Sequence, residues 1–291
     1  SSAASDVYKR QPAGYVLAKT NQADSTSAVY ENPHALSIGV AASSDIQNST
    51  LKSENPFEKQ NDLYSKILGR KVELYTKIEA ASTENSDSLK QWSVTLPASS
   101  IGYLYINKDT TAGSYWPVTL TIDQRTIENE AWRFDNNIRQ IADASDAPSQ
   151  HTVSIGVAEG YTDMPQDNEP VFYALNLDVF EQIINELKTS EFVPTVFEDG
   201  RIEGKYTAKD DGNLLLSVPY DEGWNVTVNE TAAELTPAAD KGLSSLNMQK
   251  GANRIVMTYK TPGALSGLAV SLATAAALAA AGLYARHKKS R

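Results

Sequence analysis

The chain runs to 291 residues with 26 Lys plus Arg, 36 Asp plus Glu, three His and no Cys, for a formal charge of −10. That acidic balance argues against a nucleic-acid partner, which needs a basic face to neutralise phosphates. Without Cys there is no disulfide framework, no thiolate-held zinc or iron–sulfur site and no thiol nucleophile, and His34, His151 and His287 alone leave most His-based metal and triad chemistry short of parts.

Taken in chain order, Ser1 to Gln11 reads as a non-native terminal scar and is set aside. Residues 12–90 form a mixed α/β segment with short apolar runs at 14–18 and 36–41. Asn55-Pro56-Phe57-Glu58 is a helix start, with Asn as N-cap, Pro at the first helical position and Glu placed for a capping box. Leu63, Tyr64, Ile67 and Leu68 give that helix, near 56–68, an apolar face, and Gly69 stops it. The polar stretch 80–90 reads as a loop.

From Gln91 the hydrophobic period changes to two. Segments 92–96, 101–106, 117–122 and 152–157 read as strands, and turn residues separate them. Residues 91–190 are therefore expected to form a first β-sandwich unit, interrupted by a helix at 178–189. Asp178 is the expected cap there, and Val179, Phe180, Ile183, Ile184 and Leu187 the buried stripe. A second β unit, 191–262, has strands at 202–208, 214–218, 225–229 and 254–259. The expected fold class is mainly β: antiparallel β-sandwich or jelly-roll-like units with a few helices, followed by one C-terminal transmembrane helix.

That last helix is the 22-residue run from Ala264 to Ala285, which carries no charge. As a helix it would span roughly 33 Å at ~1.5 Å per residue, enough for a bilayer core of ~30 Å. Arg286, Lys288, Lys289 and Arg291 follow at once, and the positive-inside rule assigns this tail, 286–291, to the cytoplasm. The 22 basic and 36 acidic residues before the helix then leave −14 on the outer side, with +4 from the four basic residues of the tail. Nothing near the N-terminus resembles an export signal, so the chain is expected to be the C-terminal part of a longer protein. Ten of the 22 helix residues are Ala, and Gly263 and Gly267 continue a small face through Ser271, Ala275 and Gly282. Such a helix suits a bundle better than a lone anchor.

The run Asp211 to Asn229 (DGNLLLSVPYDEGWNVTVN), followed by Lys250 to Gly263 (KGANRIVMTYKTPG) and a membrane helix, resembles the C-terminal end of the bacterial YfhO family. The resemblance extends to Asn176–Phe180 (NLDVF) and Asn55–Asn61 (NPFEKQN) and covers most of residues 12–285. It implies a multi-pass membrane protein similar to GT-C glycosyltransferases, moving a sugar from a polyprenyl-phosphate carrier to a cell-envelope polymer such as teichoic acid. The catalytic carboxylate of that class lies in an early loop among N-terminal membrane helices, so no catalytic residue is carried over onto this chain. Where the family often has a Gly-Lys turn after Val228-Asn229, Glu230-Thr231 stands here, which leaves the hairpin type open.

Tyr220 and Trp224, in Pro219-Tyr220-Asp221-Glu222-Gly223-Trp224, are the candidate contacts to an acceptor or a lipid headgroup. The same pair could instead pin a turn to the core, as large aromatics usually do. Trp92, Trp116 and Trp132 invite sugar stacking or core filling alike. The acidic loop 163–169 offers oxygens to Ca²⁺ without the spacing of a calcium loop. No cofactor, metal or nucleic acid is expected. The expected partners are the lipid bilayer, the rest of the chain's own membrane-helix bundle, a polyprenyl-phosphate sugar and an envelope polymer. The alternative function is a membrane-anchored surface protein whose β-sandwiches bind carbohydrate or serve a structural role.

Overall fold

A computed structural model describes residues 16–20, 28–106, 118–127, 138–157 and 169–289. In chain order its strands are β1 (Val16–Thr20), β2 (Ala28–Glu31), β3 (Gly39–Ala42), β4 (Tyr75–Ile78), β5 (Ala81–Asn85), β6 (Leu89–Leu96), β7 (Ser100–Tyr105), β8 (Val118–Ile122), β9 (Arg125–Ile127) and β10 (Ile138–Ala142). They continue with β11 (Ser149–Val157), β12 (Val171–Asn176), β13 (Glu191–Glu198), β14 (Arg201–Ala208), β15 (Gly212–Leu216), β16 (Trp224–Val228), β17 (Thr231–Ala233), β18 (Leu235–Ala238), β19 (Leu243–Met248) and β20 (Gly251–Tyr259). The α-helices are α1 (Pro56–Leu68), α2 (Leu177–Lys188) and α3 (Ala264–Lys289), and a 3-10 turn spans Ser44–Ile46. The fold is thus mainly antiparallel β with one C-terminal apolar helix, as the period-two runs predict. Contacts divide it into two units, Ser1–Leu36 with Thr50–Thr189 and Ser37–Ser49 with Ser190–Arg291.

The first unit contains a four-stranded sheet, β10-β7-β12-β4, and a five-stranded sheet, β5-β6-β11-β8-β9. One core joins them: Trp92, Val94 and Leu96 of β6, Val118, Leu120 and Ile122 of β8 and Val153 and Ile155 of β11 meet Leu104, Ile141, Phe172 and Ala174 of the other sheet. Alternation along each strand sends every second side chain inward, which is the sandwich arrangement. Gly102 is required at this contact, because a Cβ there would lie 2.5 Å from Leu96 and 2.9 Å from Ile141.

Helix α1 is anchored by the residues that announce it. The Asn55 carboxamide oxygen accepts from the amides of Phe57 (3.0 Å) and Glu58 (3.4 Å), and its Nδ2 donates to the Tyr173 hydroxyl at 3.0 Å. Phe57 is 2% exposed and stacks on Tyr173 at 4.5 Å, with Tyr75, Tyr103 and Tyr105 around it. Gly69 ends the helix in the left-handed region, φ 63°.

Two expectations for this unit are corrected. Residues 80–90 are not a loop: β5 pairs with β6 from Ala81↔Ser93 to Asn85↔Lys90. All five β5 side chains are exposed, so this edge strand has no apolar alternation to betray it. The cap of α2 is Asn176, whose side chain accepts from the Val179 amide at 3.1 Å, and not Asp178. The ladder of β12 ends at Asn176↔Ser100, which places that residue at the strand-to-helix corner.

In the second unit nine strands follow the order β17-β16-β20-β14-β13-β3-β15-β19-β18. Glu234 alone separates β17 from β18, so the two ends of that order are joined by one residue and the sheet is nearly closed. Its core holds Phe192, Ile202, Tyr206, Leu214, Leu216, Leu246, Ile255 and Met257. The open question of the β16–β17 hairpin is settled: Asn229 (φ 51°) and Glu230 (φ 68°) form a two-residue loop between Val228 and its partner Thr231, the type I′ arrangement.

Candidate functional site

The turn that contains Tyr220 and Trp224 is built around one carboxylate and one glycine. The Gly223 amide donates to Asp221 Oδ1 at 2.7 Å and the Trp224 amide to the Asp221 carbonyl at 3.2 Å, an Asx-type closure. The Lys260 amide donates to the Gly223 carbonyl at 2.9 Å. A Cβ on Gly223 would stand 2.6 Å from the Tyr259 ring and 2.7 Å from the Lys260 carbonyl. Glycine is therefore needed for close approach of two backbones, not for an unusual φ.

Trp224 meets Tyr259 edge-on at 5.2 Å and 65°. Tyr220 and Trp224 are half-buried and packed against the second core, so each pins the turn and leaves only part of its ring accessible. Burial raises the Tyr259 phenol above its ordinary pKa, and the hydrogen-bonded Asp221 carboxylate raises it further. Exposed Asp221 and Glu222 lie beside these rings. Half-exposed rings next to carboxylates suit stacking against a sugar face and hydrogen bonding to its hydroxyls. They supply no nucleophile–base pair.

Four residues, 260–263, connect β20 to α3. Within Ala264–His287 an 18-residue stretch reaches a mean hydropathy of 1.8, and none of that stretch is buried. Leu265, Leu268, Leu272, Leu278 and Leu283 are all more than half exposed. A soluble surface does not leave such a continuous apolar face uncovered. The hydroxyls of Ser266, Ser271 and Thr274 donate to the carbonyls of Gly263, Gly267 and Val270, all at 2.9 Å, which hides them from hydrocarbon.

Other candidates fall out differently. Trp92 is 7% exposed in the first core beside Phe172, so it fills the sandwich and is closed to a sugar. Trp116, Trp132 and residues 163–168 of the acidic loop lie outside the described residues. No group of three or more His, Cys, Asp or Glu side chains fit to hold a metal occurs among the described residues.

One constellation escapes sequence reasoning. Ser149 Oγ lies 2.9 Å from His151 Nε2, and His151 Nδ1 lies 2.7 Å from Asp123 Oδ2. It borders an open groove of ≈ 400 Å³ lined by Ile122, Asp123, Arg125, Gln140, Ile141, Ala142 and Asp143. Asp123 and Gln124 are the two positive-φ residues of the β8–β9 turn. Asp123 Oδ1 accepts from the Thr152 amide at 2.8 Å, while the Asp123 amide donates to the Thr152 carbonyl at 2.9 Å. With both carboxylate oxygens and its amide engaged, Asp123 locks that turn onto β11. Burial raises the Asp123 carboxyl, but the bonds from His151 and Thr152 outweigh it and hold the pKa below the usual range. Only the long-range pairing of β8 with β11 brings these groups together.

The family model described as "Bacterial membrane protein YfhO" matches residues 3–271, starting inside the stretch read as a terminal scar. The chain is 25% identical over 142 residues to "Uncharacterized protein YfhO" of Bacillus subtilis (strain 168), a match covering 49% of this chain and 16% of that protein's length. Among solved structures it is similar to a Paenibacillus sp. cycloisomaltooligosaccharide glucanotransferase, with 9% identity, a TM-score of 0.20 and 64% of this chain and 45% of that one covered. A GH2 beta-galacturonidase from Eisenbergiella tayi gives 10% identity and a TM-score of 0.19 over 66% and 38%. Structural overlaps that shallow carry no functional argument. The family match covers both units and the start of α3, and the chain belongs to the YfhO family of bacterial membrane proteins.

Proposed function

We propose that this chain is the extracytoplasmic β region and last membrane helix of a multi-pass, GT-C-like glycosyltransferase. The longer protein transfers a sugar from a polyprenyl-phosphate donor to a cell-envelope polymer such as teichoic acid. The observation that carries the reading is the direct join of an acidic, two-unit β region to a fully exposed apolar helix that ends in basic residues. A basic end favours the cytoplasmic side, which leaves the β units on the side where envelope polymers are built. The matched part is 16% of the Bacillus relative, so the membrane helices that perform the transfer belong, on this reading, to the remainder of the longer protein.

In this account the β units cap the membrane module and position the acceptor. Tyr220 and Trp224, two half-exposed rings in the turn that the Lys260 amide of the linker to the membrane helix bonds at Gly223, contact the acceptor or the donor headgroup by stacking. Helix α3 packs into the protein's own bundle through Gly267 and Gly282, where an added Cβ would meet no atom within 4 Å.

The test compares the longer protein, this chain alone and a form lacking both β units, using labelled polyprenyl-phosphate sugar in membranes. The longer protein should transfer label to polymer and this chain should be inert. Deletion of the β units should abolish polymer labelling. Turnover of the donor by residues 1–291 alone would overturn the proposal, as would a longer protein with only a signal peptide upstream instead of about ten or more hydrophobic segments.

A further inference from the structure

Among the residues whose side chains are described, the large apolar ones left exposed outside α3 are Val193 and Phe197, at 62% and 65%, and both lie on β13. Strand β13 pairs with β3 only at Glu191 and Phe192, so from Val193 onward its outer edge has no strand partner among the described residues. An apolar, unpaired edge in water invites association with other chains unless something covers it.

Its place in the unit says what covers it. Phe197 pairs with Ile202 two residues from the tip of the β13–β14 hairpin, and the Gly200 carbonyl at that tip accepts from the Tyr259 amide at 2.8 Å. Tyr259 is the last residue of β20, and α3 begins at Ala264. Five residue steps reach at most ~18 Å when fully extended. The turn closed by the Ala264 amide on the Thr261 carbonyl, 3.2 Å, shortens that reach. Phe197 is thus held at the end of the sheet from which the chain passes into the bilayer. Trp224 and Tyr259 lie at the same end. Trp and Tyr concentrate at the boundary between headgroups and acyl chains, and an exposed Phe on a membrane-proximal surface buries its ring at the same depth.

We propose that the β13–β14 hairpin tip is a lipid-contact site, with Phe197 seated in the headgroup–acyl boundary of the leaflet that α3 crosses. The second unit is thereby held to the membrane at two points, the linker 260–263 and the hairpin tip. The exposed charges of the hairpin tip, of the 221–224 turn and of the linker are Glu198, Asp199, Asp221 and Glu222 against Arg201 and Lys260. That acidic surplus gives no attraction to anionic lipid, so the contact is apolar and zwitterionic lipid suffices. This inference needs the membrane helix only and is independent of the sugar-transfer reading.

The chain has no Cys, so single-Cys variants report without background. Phe197→Cys, Asp210→Cys and Leu272→Cys, each carrying an environment-sensitive fluorophore, are reconstituted as the full chain in phosphatidylcholine vesicles with or without nitroxide-labelled phosphatidylcholine. Asp210 follows the far end of β14, eight residues or ~26 Å away at ~3.3 Å per residue, and Leu272 sets the scale for burial in lipid. The expected result is emission from position 197 shifted to shorter wavelength than from 210 and quenched by shallow nitroxides. Emission and quenching at 197 equal to those at 210 would overturn the proposal. A blue-shifted probe at 197 that nitroxide lipid fails to quench would overturn it as well, since a protein segment and not lipid would then cover the site.

Discussion

Replacing Phe57 by Ala tests how the first unit is held together. The ring is 2% exposed and has four tyrosine neighbours with centroids 4.5 to 6.1 Å away. Truncating a buried Phe costs about 3–5 kcal/mol in lost transfer energy and residual cavity. Each aromatic pair adds about 0.5–1.5 kcal/mol beyond area, and a strand-backed cluster cannot collapse into the space. The expected loss is therefore about 4–5 kcal/mol. Phe57→Leu, which keeps most of the volume, should cost about 1–2 kcal/mol. Tyr173→Phe removes the hydroxyl that bonds Asn55 and Glu58 and should cost about 1 kcal/mol. Peptide-resolved hydrogen exchange on the full chain in micelles reads the opening energy of residues 50–189 separately from that of 190–259. A loss under about 1 kcal/mol for Phe57→Ala, or an equal loss in both units, would refute the view that this motif pins α1 to the sheet.

Three further outcomes follow from local geometry. Gly223→Ala should lower the melting temperature of the second unit, costing about 1–3 kcal/mol, because its Cβ must displace Tyr259 or the Lys260 backbone; calorimetry reads it. Glu230→Gly should raise stability by about 0.5–1 kcal/mol, since a type I′ turn asks a left-handed φ of a residue with a Cβ; a shift in denaturation midpoint at constant slope checks it. Burial pushes the Tyr75 phenol up to about 12, with Tyr103 and Tyr64 adding to it, and burial followed by Glu58 does the same for Tyr173. A raised folded pKa favours the fold while the group stays protonated, so this stabilisation is complete below pH 10 and is lost as pH rises towards 12. Tyrosinate absorbance should show these two phenols ionising late, and ionisation of all phenols near 10 would contradict the burial seen here.

How much of this was legible in the sequence depends on how local the signal is. Asn55, Pro56 and Gly69 mark α1 because caps act within one turn, and Trp92, Val94 and Leu96 mark β6 because pleating is strictly alternate. The membrane helix is legible from length and charge alone. Strand β3 is not, since Val40 pairs with Glu191 and Leu215 and nothing near residue 40 encodes partners so far away. Strand β5 is hidden by its polar composition, and Asn176 does not stand out from Asp178 as a cap because the end of β12 decides where α2 begins. At the candidate site, Tyr220 and Trp224 could be named as a pair within one turn. Their contact with Tyr259 depends on the register of β16 with β20, which only the assembled sheet supplies.

The most direct test of the account is the side of the membrane on which each end of this chain lies. In the longer protein rendered free of Cys, Lys250→Cys reports on the second β unit and Ser290→Cys on the basic tail. A membrane-impermeant maleimide applied to cells with an opened envelope and intact inner membrane should label position 250 at once and position 290 only after the membrane is permeabilised. Labelling of 290 in intact membranes with 250 protected would place the β units in the cytoplasm and contradict the account.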